Sequence, residues 1–238
     1  MKTILFIFGL YYLSFQASFA QQYDIKELLS KVHYTYKAKS QYYIEADYKM
    51  LRGREGNMVT ESYPAVSKKQ NGITSFEALG NLQIIYPKVK LTISKENQQI
   101  LLSENNQKLD GNSPVDVDLF LKYFGDASIK ELNKYFECTL LPTTRHTQIP
   151  YNKVILTIHK ENFTIAKQEL FFSTMVPFKN RTSGEVIMDT GRLQIMLNHI
   201  TNKKIDSILP LQHYLHKQRD QYQLTSDYQS YTLINQLP

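Results

Sequence analysis

The chain has 238 residues, with 28 Lys and Arg against 22 Asp and Glu for a formal charge of +6. One cysteine excludes an internal disulfide, so stability has to come from a packed core. The positive charge is scattered in small groups such as Lys68-Lys69 and Lys203-Lys204, which reads as solvated surface and not as a nucleic-acid footprint. Such a charge is compatible with peripheral contact to an anionic membrane.

Residues 1–20, "MKTILFIFGLYYLSFQASFA", place Lys2 before an apolar run from Ile4 to Leu13 and small residues Ala17, Ser18 and Ala20 after it. This is the pattern of a secretory signal peptide cut after Ala20. The run is shorter than the roughly 20 apolar residues of a spanning helix. An exported chain of 218 residues and charge +5 would remain, soluble in the periplasm.

The spacing then predicts a helix in "YDIKELLSKVHYTYKAK". Asp24 is the expected N-cap with Glu27 three residues on, and Ile25, Leu28, Leu29, Val32 and Tyr36 share one face. From Tyr42 the period changes to two: Tyr42, Ile44, Ala46, Tyr48 and Met50 alternate with polar residues, predicting a half-buried strand. Further strands are expected at 58–63, 73–79, 82–86, 90–94 and 99–103, with turns at Asn71-Gly72 and Gly80-Asn81 and with Pro64 and Pro87 at strand ends or edges.

The middle reads as helical. Ser113 is an expected cap, Pro114 suits the first turn, Gly125 suits the stop, and Val117, Phe120, Leu121 and Phe124 share a face. Ser128 and Glu131 have the capping-box spacing, predicting a second helix towards Leu132 and Phe136. Strands resume at 136–141, 153–159, 165–173, 184–188 and 192–197, with a hairpin turn at Asp189–Gly191. In "KVILTIHKENFTIAKQELFF", Val154, Leu156 and Ile158 give a hairpin one apolar face that something must cover. Residues 213–238 read as a polar tail or an extra strand. The whole predicts one α+β domain over residues 21–212, built on an antiparallel sheet.

The segments "LLSKVHYTYKAKSQYYIEADYKM" and "KVILTIHKENFTIAKQELFF…GRLQIMLNHITNKKIDSILP" resemble the LolA/LolB-like periplasmic lipoprotein carriers. The resemblance rests on a helix leading into Ile44-Glu45-Ala46-Asp47-Tyr48, on the paired strands at 153–172, and on the segment from Asn198 to Asp206. It implies a strongly curved half-barrel with helices packed on its concave face around an apolar cavity. Mid-chain, Gly111 matches the family pattern only loosely, and neither Arg52 nor Arg145 sits in the motif of the family's arginine.

No catalytic signature is legible: there is no nucleophile elbow, phosphate loop or zinc-protease motif. His213 and His216 are spaced i, i+3 but lack further ligands, Asp116 and Asp118 suit a helix start, and Cys138 reads as an apolar filler. The sequons at Asn162 and Asn180 read as surface turns. The expected protein is therefore a non-enzyme without metal or cofactor, binding a lipid, acyl chain or lipoprotein through Ile44, Tyr48, Phe120, Leu156, Ile158, Leu170 and Phe172. The competing readings are an interaction module that recruits envelope proteins through exposed strand edges, and an enzyme whose motif is not legible.

Overall fold

A computed structural model describes residues 23–105, 120, 122–143, 149–180, 182–200, 206–219 and 221–237. The expected signal peptide, most of the helix expected after Ser113, and Arg145 lie outside them.

The order is α1 (Ile25–Ala38), β1 (Gln41–Arg52), β2 (Val59–Gln70), β3 (Ile73–Ala78), β4 (Asn81–Ile85), β5 (Val89–Ser94) and β6 (Gln99–Glu104). Next come β7 (Phe124–Glu131), β8 (Tyr135–Pro142), β9 (Tyr151–His159), β10 (Ile165–Phe172), β11 (Val176–Lys179), β12 (Val186–Asp189) and β13 (Gly191–His199). The chain ends with the short helix α2 (Leu211–Tyr214), β14 (Leu215–Gln218), β15 (Gln221–Leu224) and β16 (Thr232–Asn235). Twelve strands form one open sheet in the order β16-β6-β5-β4-β3-β2-β1-β13-β10-β9-β8-β7. The α+β class holds. The sheet is mixed, because β16 runs parallel to β6.

Helix α1 forms as its periodicity demands, with Leu28, Leu29, Val32 and Tyr36 buried. The capping box is not made. The Asp24 carbonyl accepts from Leu28 N–H at 2.9 Å, the Asp24 side chain caps nothing, and Glu27 pairs with Lys31 instead.

Several expectations need correction. The second mid-chain helix is absent: residues 124–131 are strand β7, because Ala127 and Ile129 alternate with exposed Asp126, Ser128 and Lys130 at a period of two. The Ser128–Glu131 spacing was a coincidence of that alternation. Residues 120, 122 and 123 of the helix expected after Ser113 are helical, and it gives way to β7 at Phe124, one residue before Gly125. Gly125 itself is in the strand. It lies at a bulge between Phe124 and Asp126, where a Cβ would fall 2.0 Å from the Thr143 methyl. Pro64, by contrast, meets the expectation of an edge: it lies inside β2 where β1 is its one partner strand, since pairing with β3 begins only at Ala65, so a missing N–H is tolerated there. The turn before β4 is centred on Leu79 and Gly80, both at positive φ, and not on Gly80-Asn81. Asp189–Gly191 is not a hairpin turn, since β12 pairs with β11, a strand not expected, while β13 pairs with β1 and β10. A Cβ at Gly191 would meet Val176 and Phe178 of β11 at 2.8 Å each, so only glycine lets the two sheets approach there.

The register shows which face each half of the sheet buries. Ala46, Ala65 and Ala78 stand side by side on the α1 face, and the next partner is Asn81. Leu82 and Ile84 therefore point to the opposite face, together with their partners Leu91, Ile93, Ile100 and Leu102. There the C-terminal segment covers them. Tyr214 and Leu215 are buried in this second cluster, with Ile208, Leu211, Tyr222, Leu224, Tyr228 and Leu233 packed against it. The sheet thus buries one face under α1 and the other under the tail, and the tail is a core element and not a loose end.

Leu91 is fully buried under that tail, so Leu91→Ala should cost about 2–5 kcal/mol. Limited proteolysis of this variant should cut residues 206–237 first, whereas Leu156→Ala, of similar cost, should not expose the tail selectively.

Candidate functional site

Five of the seven residues expected to line an apolar site come together. Ile44, Leu156 and Ile158 are 0 % exposed, and Leu170 and Phe120 join them with Leu28, Leu29, Val32 and Tyr36 of α1 in one cluster. The apolar face of the 153–172 hairpin is thus covered by the chain's own helix. Tyr48 lies at the margin of the cluster, stacked on Tyr63 with centroids 5.0 Å apart and edge-on to exposed Phe76. Phe172 stands outside the cluster, half-buried against Tyr151.

The two ends of α1 are held differently. At the C-terminal end, the buried Tyr36 hydroxyl accepts from Ile165 N–H at 3.0 Å and lies 3.2 Å from His199 Nε2, which is 2.9 Å from the Ile165 carbonyl. Burial pushes the Tyr36 hydroxyl well above the usual tyrosine range, so it stays protonated. Lys69, also buried, donates to the carbonyls of Tyr36 and Lys37 at 3.2 Å each. These are last-turn carbonyls that lack intrahelical partners, and a cation is favoured at that end of the helix dipole.

At the N-terminal end the contacts are aromatic. Tyr23 meets Phe136 edge-on at 5.0 Å and Phe163 at 6.2 Å, with the Lys31 ammonium 4.1 Å from its ring centroid. Beside this end a cleft of about 560 Å³ opens between Tyr23, Asp24 and Ile25 and the β7 residues Ala127, Ser128, Ile129 and Glu131. That volume lies within the range of small-molecule pockets. Tyr23, Ile25, Ala127 and Ile129 make the lining partly apolar. Glu131 is held at its rim by Lys160 at 2.8 Å. A smaller cavity of about 160 Å³ lies on the opposite face, between the tail and residues such as Lys68, Glu77 and Ile84.

Sequence reasoning missed the β7 contribution because that stretch read as helix. It also missed Lys69 and His199. The parity that places Leu193, Ile195 and Leu197 on the α1 face places His199 there too, so that signal was available.

Cys138 is fully buried, and burial pushes its thiol up to about 12, so it stays protonated. His213 lies on α2 and His216 on β14, so they do not share a helix face. Arg52 pairs with Asp189 at 2.7 Å, and buried Arg192 donates to the carbonyls of Gly53 and Gly56. The first ties the end of β1 to the end of β12, and the second ties the β1–β2 loop to the start of β13.

No family model and no curated protein matches the sequence. Among solved structures, the chain is similar to an uncharacterized conserved protein from Thermus thermophilus, at 12 % identity over 75 % of this chain and 88 % of that one, with a TM-score of 0.40. It is similar to a LolA superfamily protein from Nitrosomonas europaea, at 12 % identity over 76 % and 94 % with a TM-score of 0.34. It is also similar to a structure of the Pseudomonas aeruginosa MucA/MucB complex, at 10 % identity over 75 % of this chain and 58 % of that one, with a TM-score of 0.36. The superfamily of the second is the one that the opening and closing segments resemble.

Burial lowers the pKa of His199, the Ile165 hydrogen bond opposes this, and Lys39 and His159 add repulsion. The unfolded imidazole takes a proton at its ordinary pKa while the folded one resists. Stability is therefore full above the usual imidazole range and falls as pH drops from it towards the lowered value. Urea denaturation at about pH 7.5 and about pH 5 should show this loss, and His199→Phe should shrink it.

Proposed function

We propose that this is an exported, non-enzymatic binding protein of the cell envelope, which takes an apolar chain of a lipid or lipoprotein against α1. The observation that carries this reading is the asymmetry of α1, bonded at its C-terminal end and held by aromatic contact where the 560 Å³ cleft opens. The cleft is continuous in sequence and packing with the core, since Tyr23, Ile25 and Ile129 lie against the buried cluster. A chain entering beside β7 would lever the N-terminal end of α1 outward and reach Leu156, Ile158 and Phe120. Burying roughly 300 Å² of apolar surface would contribute about 7 kcal/mol before ordering costs.

In this reading the sheet is a strongly curved half-barrel with α1 on its concave face. Residues 1–20 are the signal peptide, 21–212 the binding domain, and 213–238 a tail that closes the far half of the sheet. Tyr48 and Phe172 would contribute at the margins. A second reading, an interaction module for envelope proteins, is favoured by the complete closure of Ile44, Leu156 and Ile158 under α1.

Native mass spectrometry of the protein purified from the periplasm should show extra mass that organic extraction removes and that corresponds to acyl chains. Ile129→Asp should weaken uptake of a fluorescent fatty acid by about tenfold or more, the loss of an apolar contact and burial of a charge. Leu141→Asp, at an exposed site on β8, should not. A bare polypeptide mass, unchanged when fatty acid is added, would transfer support to the interaction module.

A further inference from the structure

The two edges of the large sheet are finished differently. At one, the tail strand β16 lies along β6 and covers its backbone. At the other, β7 pairs with β8 alone among the described strands. The β7–β8 hairpin closes with Leu132 N–H donating to the Tyr135 carbonyl at 2.8 Å. Antiparallel ladders alternate, so the bonded pairs counting back from that turn are Lys130–Glu137, Ser128–Thr139 and Asp126–Leu141. The N–H and carbonyl groups of Ala127, Ile129 and Glu131 consequently point outward from the sheet. An edge of this kind is a template for another strand.

The charges along this edge read the same way from either end. Asp126, Ser128 and Lys130 are all exposed on the face away from α1, with Ser128 in the middle. Neither Asp126 nor Lys130 forms an ion pair among the described residues. We infer that β7 pairs antiparallel with β7 of a second copy of this chain, about a two-fold axis at Ser128. In that register Asp126 of each copy stands opposite Lys130 of the other, and Ala127 stands opposite Ile129. The outward backbone groups of Ala127 and Ile129 then face each other, as a ladder requires. Shifting the register by two residues in either direction keeps the ladder but separates the charges. Glu131 falls opposite Gly125, so no like charges meet. The contact is isologous, as a closed dimer needs. It also sets the Ala127–Ile129 side of one cleft against that of the other.

The interface is one strand wide, so the dimer is a weak, concentration-dependent one. A lysine on an edge strand can instead serve to repel other strands. The two roles predict opposite effects of reversing its charge.

Sedimentation velocity over a concentration series should show mass rising from one chain to two. K130D and D126K should each weaken association by about tenfold or more, because each sets like charges opposite one another at both ends of the pairing. The double variant D126K/K130D should recover it. A single-chain mass at every concentration would overturn the inference. So would stronger association of K130D, or a double variant that is folded by circular dichroism yet fails to recover. Fatty-acid uptake measured on the same single variants should be retained, which keeps failure of the dimer separate from failure of the binding function.

Discussion

The structure depends on how one helix is fastened to one sheet. Helix α1 supplies the longest described helical cover over β1, β13 and β8–β10, with helical Phe120 beside it in the same cluster, and its apolar face would be unstable in water without them. The polar bonds that orient it are gathered at one end, where Tyr36, His199, the Ile165 backbone and Lys69 meet. Tyr36, Lys69 and the Ile165 backbone are buried and His199 is half-buried, each with a partner, so breaking a buried one leaves a polar atom stranded at a cost of about 1–3 kcal/mol. Aromatic contacts at the other end carry no such directional constraint. A helix held in this way has a fixed end and an end that can yield, and the open cleft lies at the yielding end.

The second constraint is the length of the sheet. Twelve strands present more apolar surface than one fourteen-residue helix can cover. The chain responds by reversing which face carries the apolar residues between β3 and β4, and by bringing the C-terminal segment across the reversed half. The same segment then runs β16 along β6, so one element fills a core and covers an edge. Nothing comparable among the described strands covers β7, and this difference between the two edges gives the molecule its one-sided character.

Much of this was legible in the sequence wherever period alone decides. The helix 25–38 and nearly every strand from Tyr42 to Leu197 follow from spacing, and so does the shared face of Ile44, Leu156, Ile158 and Leu170. What was not legible depends on partners distant in the chain. Asp126–Glu131 carries a capping-box spacing and a strand alternation at once, and only pairing with β8 selects the second. Pro64 reads as a strand end or an edge, and only the stagger of β3 decides for the edge, where its missing N–H is spared. The tail is polar on average, and its Tyr214, Leu215, Tyr222 and Leu224 become a core only because β4–β6 turn their apolar side towards it. For the site, the side chains were readable but their closure was not: nothing local reveals that α1 seals Ile44 and Leu156 and leaves Ala127 and Ile129 beside an opening.

The central claim is that an apolar chain enters between the N-terminal end of α1 and β7. The most direct test is photocrosslinking with a diazirine-bearing fatty acid, followed by peptide mapping of the labelled protein. The account predicts labels concentrated on peptides that contain Tyr23, Ile25, Ala127 and Ile129, and competed by unlabelled fatty acid. Labels confined to the tail and β4–β6, or spread evenly over the surface without competition, would contradict it.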